Sequence, residues 1–166
     1  MKIGVVSDSH GKANRLEAAI EKFVSCGVQA VVHCGDVGSV ECLELLASAG
    51  VPAYAVAGNM DRDVEALEAA AARCGVIFSR RYVEVPLGRA KLLAATHGDD
   101  RALLDELVKC GRYAYVCHGH THRARSARRG EVRIVNPGAL RRSLDAWRAT
   151  AAIIDTEFES AGHVRL

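Results

Sequence analysis

Short apolar runs alternate with segments of helical period over the first half of the chain. "KIGVV" (2–6), "QAVVHC" (29–34) and "PAYAVAG" (52–58) are continuous apolar stretches of strand length. Between and after them, Leu16, Ile20, Phe23 and Val24 mark one helix face, closed by Gly27. Val40, Leu43 and Leu46 mark a second, closed by Gly50, and Val64, Leu67, Ala71 and Cys74 a third, closed by Gly75. This βαβαβα opening predicts a parallel sheet with crossover helices.

The pattern then changes. "RRYVEVPLGRAKLLAATHG" (80–98) reads as a hairpin of two strands joined at Leu87-Gly88, followed by a fourth helix at Leu103, Leu104, Leu107 and Val108 that ends at Gly111. "YAYVC", "ARSARRGEVRIVN", "ATAAIIDTE" and "HVRL" are strand-like, with turns expected at Gly130 and Gly162. Two sheets packed face to face, with helices on their outer surfaces, accommodate this order, although the strand order itself is not readable. No repeat, low-complexity tract or linker divides the chain, so a single domain over 1–166 is expected.

Almost every potential ligand falls just past the end of a predicted strand. Asp8 and His10 follow the first, Asp36 the second, and Asn59 and Asp61 the third. His97 follows the second hairpin arm, and "VCHGHTHRA" places His118, His120 and His122 after another strand. Ligands of open α/β sheets bind at this edge, so segments distant in sequence can converge there. Glycines adjoin these candidates at Gly11, Gly35, Gly58, Gly98 and Gly119. One such glycine is ordinary loop punctuation, but five in succession point to a site. The closely spaced histidines alone fit a metal comb, a pH-sensitive surface or an accident of composition.

Several residues have plainer roles. Asp61, standing just before the third helix, is expected to cap it. His33 reads as a packed strand residue and His163 as surface in the final turn. His118 is left out of the ligand set, as a neighbour, because Gly119 can break the alternation. The arginines from Arg123 to Arg142 (Arg123, Arg125, Arg128, Arg129, Arg133, Arg141 and Arg142) could steer an anion, but they read as a solvated hairpin face.

Composition narrows the classes. The chain has 166 residues, 49% apolar and 25% charged, with net charge +2, the balance of an ordinary globular protein rather than a dedicated nucleic-acid or membrane binder. The opening "MKIGVVSDSHG" is not read as a signal peptide, and no stretch is long enough to span a bilayer. The six cysteines form no CxxC pair, so they are expected as reduced thiols in a cytoplasmic protein, with Cys34 and Cys117 as small buried hydrophobes.

In order, DxH (Asp8, His10), GD (Gly35, Asp36), GNxD (Gly58, Asn59, Asp61), THG (His97, Gly98) and GHTH (His120, His122) resemble the calcineurin-like metallophosphoesterases. The small bacterial and archaeal phosphodiesterase branch is the most similar, and its NPG signature stands at Asn136-Pro137-Gly138. The resemblance covers the chain from Lys2 to about Asp155. It implies a four-layer αββα sandwich of two mixed β-sheets flanked by helices. It also implies that Asp8, His10, Asp36 and His122 hold one metal, and that Asp36, Asn59, His97 and His120 hold a second, with Asp36 bridging. His120 and His122 would then serve one ion each.

Two such ions roughly 3.5–4 Å apart can share a hydroxide that attacks phosphorus in line. The expected activity is a dinuclear-metal phosphodiesterase, a hydrolase of small phosphodiesters, with Asp36 and Asn59 as catalytic groups. Imidazole, carboxylate and amide donors without thiolate suit divalent transition metals, manganese first, with iron, nickel, cobalt or zinc as alternatives. Nucleic acid and membrane are not expected partners, and a homo-oligomer is left open. Two other readings stand beside the enzyme: a protein-binding scaffold of this fold, as in a eukaryotic retromer subunit with a degenerate metal site, and a nuclease. Two positions depart from the resemblance. Met60 stands where many relatives of the wider superfamily have a proton-donating His, and Ala139 where the branch reads NPGS.

Overall fold

The protein is described from a computed structural model that covers residues 1–88, 90–140 and 149–166. Arg141 and Arg142 of the basic stretch lie outside the described residues.

Strands β1 (Lys2–Val6), β2 (Ala30–His33), β3 (Ala53–Val56) and β4 (Ile77–Ser79) run parallel, connected by α1 (Ala13–Ser25), α2 (Val40–Ala47) and α3 (Val64–Cys74). Their continuous apolar character follows from burial on both faces. Ile3, Val5, Val32, Tyr54 and Val56 face inward between the sheets, and the alternate positions Val6, Val31, Ala53 and Ala55 pack beneath α1–α3.

The second half adds β5 (Tyr82–Pro86), β6 (Leu92–Thr96), α4 (Arg101–Lys109), β7 (Tyr113–Cys117), β8 (Arg125–Arg129), β9 (Val132–Asn136), β10 (Thr150–Asp155) and β11 (Ser160–Arg165). The six-stranded sheet has the order β11-β10-β1-β2-β3-β4, and the five-stranded sheet the order β5-β6-β7-β9-β8. Both are mixed. β10 is antiparallel to β1, whereas β6, β7 and β9 run parallel between the antiparallel edge strands β5 and β8. Val83, Val85, Leu93, Ala95, Tyr115 and Cys117 close the inter-sheet core, and α4 covers the outer face of the second sheet through Leu103, Leu107 and Val108. Each of these leucines contributes about 2 kcal/mol by leaving water. The layers are therefore helices, sheet, sheet, helix, the αββα sandwich expected.

Three local expectations are corrected. Val24 lies off the buried face of α1, 61% exposed, and the face is made by Leu16, Ala19, Ile20 and Phe23. Gly162 pairs with Ile153 inside β11, and the reversal precedes it at 156–159. His163 belongs to the same strand. It is exposed, yet its Nε2 donates to the Asn136 carbonyl at 2.8 Å.

Candidate metal centre

The C-terminal ends of β1, β2, β3, β6 and β7 each release a loop to one edge of the sandwich. The loops are stitched to one another by their backbones. Asp8 N–H donates to Gly35 O at 3.0 Å, His10 N–H to Asp36 O at 2.9 Å, and Gly119 N–H to His97 O at 2.9 Å. Close approach leaves no room for a side chain at Gly58 or at Gly119. A Cβ on Gly58 would overlap Asp36, and one on Gly119 would overlap the Ser7 hydroxyl.

All seven expected ligand residues converge there. Asp8, Asp36 and His97 form a buried floor, at 0%, 3% and 2% exposure, while Asn59 and His120 lie exposed at the rim. On one side, Asp8 Oδ1 lies 3.1 Å from His122 Nε2 and 4.0 Å from His10 Nε2. On the other, Asn59 Oδ1 lies 2.9 Å from His97 Nε2 and 3.1 Å from His120 Nδ1. Asp36 stands between them, its Oδ2 3.7 Å from His10 Nε2 and 3.6 Å from His97 Nε2. The donor atoms of Asp8, His10 and His122, and likewise those of Asp8, Asp36 and His97, all lie within 4.8 Å of one another.

Each carboxylate uses one oxygen for the backbone and turns the other inward. Asp36 Oδ1 accepts the Met60 N–H at 2.8 Å, and Asp8 Oδ2 accepts the His120 N–H at 3.2 Å. Asp8 Oδ1 is buried and accepts no hydrogen bond among the described residues. Burial pushes the Asp8 carboxyl up, but the approach of His122 and Ser7 and the charges of His97 and His122 outweigh it, leaving the group below its usual value.

The donor chemistry fits a cation. His97 Nδ1 lies 2.9 Å from the Cys34 carbonyl, which can only accept, so this nitrogen carries a proton. Nε2 is the nitrogen left to serve as a ligand, and it faces Asn59 Oδ1 and Asp36 Oδ2, both acceptors as the amide is placed. These three atoms would suit a positive ion held among them, and a metal-binding His commonly donates its other N–H to a carbonyl in this way. The thiols stay out of it. Cys34 and Cys117 are wholly buried in the inter-sheet core, and burial pushes both thiols up.

The remaining sequence candidates play other parts. Asp61 does not cap α3. That helix begins at Val64, and Asp63 is its cap, accepting from Ala66 N–H at 3.0 Å. The buried Asp61 carboxylate instead accepts Gly38 N–H at 2.7 Å, Gly58 N–H at 2.8 Å and Val37 N–H at 3.2 Å, clasping the loops that carry Asp36 and Asn59. His33 is packed, as expected. It meets Ser9 Oγ at 2.8 Å, and burial lowers its pKa to about 4, so the ring is neutral. His118 stays outside the cluster, its Nδ1 near Gly119 O and Asn136 Nδ2. Asn136, whose role the sequence left open, donates to Gly119 O at 2.8 Å and to Thr121 Oγ1 at 3.0 Å, and so holds the loop bearing His120 and His122. The NPG triplet was the available signal for it.

Comparison with known families places this geometry. The family model described as the calcineurin-like phosphoesterase superfamily domain matches residues 1–159. The chain belongs to the calcineurin-like phosphoesterase superfamily. A phosphodiesterase of Methanocaldococcus jannaschii is 30% identical over 95% of this chain and 94% of its own length. Among solved structures, a novel archaeal phosphodiesterase superposes with a TM-score of 0.89 at 28% identity, covering 100% of both chains. Vacuolar protein sorting 29 of Cryptosporidium parvum shares the fold at a TM-score of 0.60 and 19% identity, over 99% of this chain and 96% of that one. The chain thus shares its fold with both a phosphodiesterase and a sorting protein. Among the described residues, no helix is long and apolar enough to cross a membrane.

Proposed function

We propose that the chain is a dinuclear-metal phosphodiesterase acting on small phosphodiesters, a single metallophosphoesterase domain that works in the cytoplasm with manganese as its first-choice ion. The position of the Asp36 carboxylate carries this reading, with Oδ2 midway between His10 and His97. Asp8, His10, Asp36 and His122 would hold one ion, and Asp36, Asn59, His97 and His120 the other. Two such ions would acidify a water nucleophile and draw charge from the phosphoryl oxygens.

The side chains supply the rest. Asp36 keeps the two donor groups in register because Met60 N–H fixes its other oxygen. Asn59 offers a neutral oxygen, which limits the negative charge facing an anionic substrate, and its amide N–H groups can donate to a phosphoryl oxygen. The buried floor and exposed rim leave Asn59 and His120 on the substrate side. Met60, 51% exposed, has no proton to give a leaving group.

Seven competent donors converging on one point support the enzyme over a scaffold of the same fold, which needs none of them. The nuclease alternative has less support, because the lining of the groove beside the site has no Phe, Tyr or Trp among the described residues. The test removes metal by chelation, reloads manganese, iron, cobalt, nickel or zinc separately, and assays aryl diesters and monoesters alongside elemental analysis. About two ions per chain and metal-dependent diester hydrolysis are expected. Hydrolysis unaffected by chelation, with no ion retained after reloading, would refute the proposal.

A further inference from the structure

A groove of about 530 Å³ adjoins the metal centre through the loop that carries its histidines. His118 and Thr121, flanking His120, form one wall, and α4 and the β8–β9 hairpin form the others. Five guanidinium groups line it (Arg101, Arg123, Arg125, Arg128 and Arg129), against the single carboxylate of Asp105. Asp105 is already engaged by Arg129 at 3.1 Å and Lys109 at 3.4 Å, and Arg128 lies 3.6 Å from Glu159. Arg101, at the first turn of α4, and Arg125, at the start of β8, have no carboxylate partner among the described residues. The hairpin is therefore more than a solvated face. It presents uncommitted positive charge beside a site built for a phosphate.

Resting on the phosphodiesterase reading, we infer that the substrate is a phosphodiester bearing a second phosphate group, which the groove receives at Arg101 and Arg125 while the diester lies over Asp36. Guanidinium pairs phosphate oxygens through two parallel N–H donors, which suits a terminal phosphate monoester better than a lone hydroxyl or ether. No Phe, Tyr or Trp lines the groove among the described residues, and five guanidinium groups do, which favours recognition of charge over a stacked base. Cleavage at the metal centre leaves this second phosphate intact. It anchors and selects the substrate.

Two 4-nitrophenyl diesters test this, with the same leaving group and a three-carbon arm ending either in a methyl ether or in a phosphate monoester. Arms of four and six carbons are added to vary reach. At low salt, wild-type kcat/KM should favour the phosphorylated substrate by about tenfold for at least one arm. That ratio should fall below about twofold in Arg101→Gln/Arg125→Gln, whose folding is checked by its melting temperature and metal content. It should persist in Lys22→Gln/Arg73→Gln, which removes equal charge from the last turns of α1 and α3. Calorimetric binding of propane-1,3-bisphosphonate against propylphosphonate gives the same comparison without turnover. A ratio near one for every arm, or a preference that survives loss of both arginines, overturns the inference. Arginine-dependent binding preference without hydrolysis of either diester would support the groove and overturn the phosphodiesterase reading instead.

Discussion

Replacing Asp61 should loosen the site without touching any of the proposed ligands. Its carboxylate accepts three backbone N–H groups, Gly38 on Oδ1 and Val37 and Gly58 on Oδ2. Hydrogen bonds to a charged acceptor contribute about 1.5–3 kcal/mol each, but they share one group and are not additive. Asp61→Ala leaves three partly or wholly buried donors without their acceptor, and a loss of about 3–5 kcal/mol is expected. Asp61→Asn can keep its oxygen at the Val37 and Gly58 side but turns an NH2 toward Gly38 N–H, so about 2–3 kcal/mol should go. Because these donors sit beside Asp36 and Asn59, metal affinity should fall as well, by about 10–100-fold. Urea unfolding of chelated protein reads the first effect, and competition against a metal-binding dye reads the second. A metal-free stability within about 0.5 kcal/mol of wild type for Asp61→Ala, with unchanged affinity, would refute the clasp.

Three other perturbations separate the remaining roles. His33 titrates in the unfolded chain near 6.5 but in the folded one at about 4, so the unfolded state binds the extra proton between those values. This part of the stability is complete above pH 6.5 and falls as the pH drops toward 4, by up to about 3 kcal/mol. The stability of His33→Gln should therefore change less than that of wild type between pH 7 and 4.5, and parallel curves would exclude the effect. Asp36→Asn should lower turnover by about 10³-fold or more, far beyond His118→Ala, and near-wild-type rates at saturating metal would remove the bridging assignment. Without a proton donor at Met60, aryl diesters should outpace alkyl diesters by about 10²–10⁴-fold where chemistry limits the rate, and a flat dependence on leaving-group pKa would reveal a general acid elsewhere.

Local periodicity carried the βαβαβα half, the hairpin at Leu87-Gly88 and the placing of every candidate ligand past a strand end, because each depends on neighbouring residues. Strand order was not legible. β10 adds itself beside β1, and β9 inserts between β7 and β8, through pairings across the chain that no local pattern encodes. β4 is only three residues long and partly exposed, too short for a period to show. Asp61 was misread for a subtler reason. A cap stands immediately before the first helical residue, so counting back from Val64 reaches Asp63, whereas Asp61 is recruited by Gly58 of its own loop and by Val37 and Gly38 of the loop after β2. The arginine-lined groove depends on α4 meeting the β8–β9 hairpin, a contact that charge spacing along the hairpin does not show.

The backbone of the site explains why its ligand types suit this edge of the sheets. Asp8, His10, Asp36, His120 and His122 all take positive φ, between 46° and 64°, and the other such non-glycine residues among those described are Ala90 and Glu159. A left-handed residue other than glycine is strained by about 1–2 kcal/mol, a substantial sum over five positions against a typical folding free energy of about 5–15 kcal/mol. Asp and His are among the side chains that tolerate this region best, and they are also oxygen and nitrogen ligands. One choice of residue thus meets two demands: it turns each strand end sharply, and it aims a donor at the centre. The backbone bonds from Asp8 to Gly35 and from His10 to Asp36 hold the strained turns in place. Ions that bind only the folded arrangement would add stability in proportion to their occupancy, offsetting strain that the metal-free chain must carry through packing alone.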